Sequence, residues 1–269
     1  MTEIVIGEPY SGVPGLALGG YVAGLLGHPH PGALEITLRR PVSIGDTLRV
    51  DDVDGTAQLS RNGEVVAVAA PVVLDIEAPS RVSAEEAGEA SERYLGRHHH
   101  FFPTCFCCGP VRSAEDGLRI FPGLTTSGTV VAAAWTPRGA WAAGRDTLPV
   151  PVVWAALDCP AIWAHIAVAP PSGEKAVTGR VAVEILEPVA VGSPCVVVGW
   201  PLSRTERLIV AGSAILSSDG DILAISRHGH HRQRRAGGPG GVAGGAACSG
   251  TARSGGYGSG SIEGDSGRR

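Results

Sequence analysis

Lysine is nearly missing from this chain: Lys175 stands alone, and the rest of the 22 basic side chains are arginine. Against 26 Asp and Glu the formal net charge is −4. That balance supplies no field to gather nucleic acid or an anionic membrane. The arginine bias reads as a base-composition effect rather than a binding device. The opening MTEIVIGEPYSG lacks a basic region followed by an apolar stretch, so no secretory signal is read there. Gly-x-Gly-x-x-Gly, Gly-x-x-x-x-Gly-Lys-Ser/Thr and Gly-x-Ser-x-Gly are all missing. Their absence removes the dinucleotide, P-loop and nucleophile-elbow readings. Six cysteines without a secretion signal read as reduced thiols, and a cytoplasmic protein is expected.

What is present is apolar. With 43% hydrophobic residues among 269, the chain can bury a large core. The longest apolar run, PVVWAALDCPAIWAHIAV (151–168), is broken by Asp158, Pro160 and His165 and closed by APPSGEK. It is expected to be a buried helix and not a membrane span. From about Arg234 the chain is rich in Gly, Ser and Arg with almost nothing to bury, and is expected to be a disordered tail.

A faint internal repeat decides the architecture. RPVSIGDTLRV (40–50) aligns with EPVAVGSPCVV (187–197), and RNGEVVAVA (61–69) with SDGDILAIS (218–226). The second pair places a turn dipeptide, Asn-Gly or Asp-Gly, ahead of a short apolar strand. A helix-like segment precedes each copy, LALGGYVAGLLG (16–27) in one and the 151–168 run in the other. Each half then continues in strands such as ALEITLRRPV, where Leu34, Ile36 and Leu38 alternate with polar residues. A helix apolar all round must be buried all round. An antiparallel sheet wrapped around one central helix buries it, which is the hotdog architecture. The expected fold is therefore α+β, a double hotdog. Its parts are an N-terminal hotdog (1–80), a connector with a helix and a Cys-rich turn (81–112), a C-terminal hotdog (113–230) and the tail (231–269). The connector helix SAEEAGEASERYL should be capped by Ser83 and lie exposed.

FPTCFCCGP (102–110), DGLRIFPG (116–123) and VVWAALDCP (152–160) resemble an actinobacterial group of double-hotdog proteins related to acyl-CoA thioesterases. Cys-x-x-Cys-Gly-Pro followed by Gly-Leu also resembles the start of phenylacetate-pathway-type thioesterases. The resemblance covers about residues 10–226. The strand ending ILAISRHGHHRQRR departs from it, and the tail has no counterpart. It implies hydrolysis of an acyl thioester, with coenzyme A as part of the substrate and no separate cofactor. It also implies a backbone N–H at the start of one central helix as oxyanion donor, near a glycine pair, and a carboxylate from the partner's central helix.

Gly19 and Gly20 are that pair, with the Gly20 and Tyr21 amides as donors. Family members carry their acid seven residues after the second glycine, which here is Gly27. In the second half the acid is present as Asp158, but seven residues before it stands Pro151, which has no N–H. One half supplies the donor and the other the carboxylate, so a single composite site is expected. Asp158 acts as base, and Gly19, His165 and Trp154 line the substrate. Apolar neighbours should raise the pKa of Asp158.

Simpler readings stand beside these. Pro160 suits the first turn of a helix, so Asp158 could be the N-cap of one beginning at Cys159. Cys105-x-x-Cys108 with Cys107 and the HHH of 98–100 has zinc-ligand chemistry, yet no second pair follows at a suitable distance. No metal is therefore expected, and CFCCGP is read as a packed turn. The Asp/His signature of hotdog hydratases is missing. A non-catalytic hotdog binding acyl-CoA or a small lipid is the main alternative, with a dehydratase behind it. A homodimer of such fused pairs is compatible with either.

Overall fold

The computed structural model describes residues 2–27, 32–79, 81–168 and 175–233. The first half contains β1 (Thr2–Val5), α1 (Gly19–Gly24), β2 (Ala33–Leu38), β3 (Thr47–Val53), β4 (Thr56–Arg61) and β5 (Glu64–Val72). After α2 (Ala84–Glu92) come β6 (Gly123–Leu124), β7 (Val131–Trp135) and α3 (Val150–Val168). The last strands are β8 (Lys175–Ile185), β9 (Cys195–Arg204), β10 (Leu208–Ser217) and β11 (Ile222–Gln233).

All eleven strands form one antiparallel sheet in the order β1-β3-β4-β5-β2-β8-β11-β10-β9-β7-β6. Read outward from the β2–β8 junction, the two halves mirror each other: β2 with β8, β5 with β11, β4 with β10, β3 with β9, β1 with β7. This is the pseudo-two-fold implied by the repeat. Its turns match as well, because Gly45 and Gly192 both take positive φ, +87° and +79°. The Asn62-Gly63 hairpin also has both φ values positive, which suits the strand twist. Leu34↔Val183 and Ile36↔Val181 close the junction. Glu35 spans it with Arg180 at 3.5 Å and Arg227 at 3.4 Å.

The main core lies between the sheet and the paired helices α1 and α3. α1 is shorter than LALGGYVAGLLG suggests, because Leu16 and Ala17 pair as β-bridges with Ser43 and Ser11. α3 is long and apolar enough to cross a membrane by length and composition, yet 13 of its residues are buried inside the protein. Pro160 sits within α3, so the expected helix start at Cys159 is corrected: the helix runs unbroken from Val150. A proline there leaves the carbonyl four residues back without its N–H. That carbonyl belongs to Ala156, and the Cys107 thiol approaches it at 3.9 Å.

Ser83 caps α2, accepting from the Glu86 amide at 3.1 Å. The helix is not simply exposed: Ala87 and Ala90 are fully buried in a second apolar cluster with Val196, Val198 and Trp200. β11 continues to Gln233, past the 230 boundary, so the first three residues assigned to the tail are strand. The rest of the tail, 234–269, lies outside the described residues, as do the histidines of GHPHPG.

Candidate active site

Asp158 projects from the middle of α3 with 2% of its surface exposed. Its Oδ2 accepts the Gly20 backbone N–H at 2.8 Å, and its Oδ1 accepts the Thr178 hydroxyl at 2.9 Å. Gly20 lies in the first turn of α1, where amides have no partner within the helix. Asp158 therefore caps a helix, but that helix is α1 of the other half and not its own. A Cβ on Gly20 would stand 2.7 Å from Asp158 Cβ and 2.8 Å from the Trp154 carbonyl, so only glycine admits this approach.

Two imidazoles on β11 complete the shell. His228 Nδ1 lies 3.5 Å and His230 Nε2 3.9 Å from Asp158 Oδ1. His228 is anchored through Nε2 to Ser226 Oγ at 2.9 Å, whereas both ring nitrogens of His230 are buried without a hydrogen-bond partner among the described residues. Burial pushes the Asp158 carboxyl up, as expected from its apolar neighbours. The His228 and His230 imidazoles beside it outweigh this and hold the carboxyl well below its ordinary range. Burial pushes the His230 imidazole down.

Local geometry explains how Thr178 reaches the site. The β8–β11 register shifts between Gly229 and His230, so Thr178 faces His230 and Gly179 is passed over. This bulge turns the Thr178 hydroxyl toward α3. A Cβ at Gly179 would collide with the His231 ring.

Asp158, Thr178, His230 and Gly19 border a cavity of about 440 Å³. Its walls include Val22, Ile162, Trp163 and Ile166, and Arg39, Arg40, Arg204 and Arg232 line it as well. The first three of these arginines are exposed and bring positive charge to its outer part. His165 also borders it, with Nε2 2.9 Å from the Val210 carbonyl of β10, and burial pushes this imidazole down as well.

Three expected positions fall elsewhere. Trp154 does not line the cavity: it is wedged between the helices, and a Cβ on Gly24 or Gly27 would meet its side chain at 2.9 or 2.8 Å. The Gly20 amide is engaged by Asp158 rather than open to the cavity. Tyr21 turns away and stacks on Tyr10, the ring centroids 3.8 Å apart. At the mirrored place Gly27 lies against Val150 and the Trp154 ring and Gly24 against Pro151, with neither a carboxylate nor a proline N–H to make the counterpart bond.

Two donor clusters have metal-ligand composition. Asp158, His228 and His230 bring their ligand atoms within 4.8 Å of one another. The two rings are stacked with planes 14° apart and centroids at 5.7 Å. The second cluster joins Cys105 and Cys108 to Cys159. The spacing of the connector cysteines left Cys159 unnoticed because it lies in α3, far along the chain. Thr178 gave no sequence signal of its own. His228 and His230 did, as an alternating pair on a strand that departed from the family resemblance.

No protein-family model and no curated protein sequence matches the chain. Solved structures match it in fold. A hotdog-fold protein of unknown function from Alicyclobacillus acidocaldarius has a TM-score of 0.54 and 14% identity, over 86% of this chain and 92% of that one. A thioesterase II from Thermobifida fusca, itself assigned only provisionally, gives 0.55 at 14% identity, over 85% and 92%. An acyl-CoA thioesterase II from Mycobacterium marinum gives 0.52 at 13%, over 81% and 90%. Likeness at these identities establishes the hotdog fold and leaves the reaction to be argued from the site.

Proposed function

We propose that this chain is a double-hotdog acyl-thioester hydrolase acting on a coenzyme A-linked substrate, with one composite site between its halves. The observation that carries this reading is a buried carboxylate, oriented by the Gly20 amide and the Thr178 hydroxyl and flanked by two imidazoles, at the wall of an apolar cavity that arginines also line. The apolar wall suits an acyl chain, and the arginines suit the phosphates of a coenzyme A. The fold is shared with solved thioesterase structures, and the Cys-x-x-Cys-Gly-Pro turn resembles the start of phenylacetate-pathway-type thioesterases.

In this reading a water held by Thr178 and Asp158 attacks the thioester carbonyl, and Asp158 takes its proton. Negative charge on the carbonyl oxygen develops beside Gly19 at the first turn of α1. The C–S bond then breaks, and the leaving thiolate takes the proton back from Asp158. Free thiols at the five described cysteines support a cytoplasmic setting.

One observation favours the non-catalytic alternative. The Gly20 amide and the Asp158 carboxylate satisfy each other, which is what a purely structural clasp would do. Hydrolysis of a panel of acyl-CoA thioesters by the wild type and by Asp158→Ala decides between the two. Turnover in the wild type that falls at least a hundredfold in the variant supports the hydrolase. Tight binding of acyl-CoA without turnover supports the binding module.

A further inference from the structure

The reaction above makes no use of Cys105, Cys108 or Cys159. We propose that these three residues form a thiolate site for Zn2+, clipping the Cys-rich turn of the connector to α3, with a fourth coordination position open to the cavity.

The sulfurs converge. All three lie within 4.8 Å of one another, and Cys105 Sγ and Cys159 Sγ are 3.5 Å apart. Tetrahedral Zn–S bonds of about 2.3 Å place sulfurs roughly 3.8 Å apart. Small side-chain adjustments close the triangle on one ion.

Hydrogen-bond donors surround the cluster. Trp163 Nε1 donates to Cys108 Sγ at 3.4 Å, and His100 Nε2 lies 3.2 Å from the same sulfur. The other described cysteines lie outside the cluster, Cys107 donating to the Ala156 carbonyl and Cys195 to the Ser193 carbonyl. The turn is built for the purpose. The Gly109 amide returns to the Cys105 carbonyl at 2.8 Å, and a Cβ on Gly109 would press on that oxygen at 2.5 Å. This is a tight Cys-x-x-Cys-Gly turn that brings Cys105 and Cys108 to the same side.

His100 is an outer donor rather than the fourth ligand. Its Nδ1 accepts the Phe102 amide at 2.9 Å, which puts the ring proton on Nε2, facing Cys108. Because Cys105, Cys108 and Cys159 all border the cavity, water from it takes the remaining vertex. Each thiol gives its proton to solvent as its S–Zn bond forms, with no change of oxidation state. Three thiolates and one Zn2+ carry a single net negative charge, shared among the N–H donors. A set of three soft sulfurs selects a thiophilic ion over Mg2+ or Ca2+.

The test uses the full chain, stripped with a chelator under reductant and titrated with Zn2+ and with Co2+ alone. Expected are about one equivalent of Zn2+ by elemental analysis, a raised Tm and a thiolate-to-cobalt charge-transfer band in the near ultraviolet. Cys105→Ser, Cys108→Ser and Cys159→Ser should each lose the band, while Cys107→Ser and Cys195→Ser keep it. The wild-type stoichiometry and spectrum stand even where a serine variant fails to fold. No stoichiometric metal in the reduced wild type, no charge-transfer band, or equal loss in Cys107→Ser would overturn the proposal. So would a Cys105–Cys159 disulfide in the freshly purified protein. None of these readouts depends on thioester hydrolysis.

Discussion

The Gly20 amide and the Asp158 carboxylate meet at 2.8 Å, one from each half of the chain. This bond satisfies an N–H that the first turn of α1 cannot satisfy itself, and it anchors a charge that α3 would otherwise bury alone. In the proposed hydrolase, stability and chemistry share this one contact.

The closeness of that contact sets the first prediction. Gly20→Ala forces a methyl to within 2.7 Å of Asp158 Cβ and 2.8 Å of the Trp154 carbonyl, both on one packed helix. Denaturant unfolding should show a loss of about 2 kcal/mol or more. Gly88→Ala, on α2 with nothing within 4 Å of the added carbon, should instead gain ~0.5–1 kcal/mol. Equal effects of the two would refute the packing argument.

Thr178→Val removes the hydroxyl on Asp158 Oδ1 while keeping the side chain's shape. If Asp158 is the base, kcat should fall roughly 10- to 100-fold with little change in KM, as expected for a charge-assisted hydrogen bond. Thr178→Ser should retain most of the rate. Steady-state kinetics on an acyl-CoA substrate checks both.

Arg112 is a buried cation with 5% of its side chain exposed. It donates to the Thr104 carbonyl at 2.6 Å, to the Asp116 carbonyl and carboxylate at 2.9 Å, and to Ser11 Oγ at 2.6 Å. Arg112→Met strands these acceptors and should cost about 3 kcal/mol in chemical denaturation. Arg112→Lys cannot reproduce the planar fork and should recover only part of that loss.

Asp46 supplies a pH dependence. Partial burial raises its carboxyl, but the hydrogen bond from Arg61 at 2.6 Å and the Ser43 amide at 2.8 Å outweigh this and hold it below the ordinary 3.8. A carboxyl lowered on folding stabilises the protein above its unfolded pKa. That contribution disappears as pH falls through the lower folded value. Asp46→Asn should therefore cost about 1 kcal/mol at neutral pH, the side chains being partly screened by solvent. The gap from wild type should close in strong acid, as unfolding curves across pH will show.

Much of this arrangement could be read from residue spacing. The family resemblance, with its seven-residue offset, set Asp158 of one half against Gly20 of the other, and the Pro-x-x-x-Gly repeat marked the turns at Gly45 and Gly192. Other parts had no local signal. Thr178 reaches Asp158 only because a bulge at Gly179 changes the strand register, a feature of pairing and not of composition. Pro160 looked like a helix start because an interior proline orphans a carbonyl. The sequence of α3 could not reveal that Cys107, from another segment, would meet that carbonyl. Trp154 looked like cavity lining, yet the small residues of α1 draw it between the helices.

The mirrored halves have become non-interchangeable. In an assembly of two identical subunits, any residue placed in one copy is placed in both. This covalent pair has escaped that constraint, keeping an amide at Gly20 in one half and a carboxylate at Asp158 in the other. At the mirrored position it holds Gly27 and Pro151 instead. Duplicating the second half in place of the first would give two carboxylates facing prolines; duplicating the first would give two amides facing glycines. Neither symmetric chain would possess the bond that joins Gly20 to Asp158.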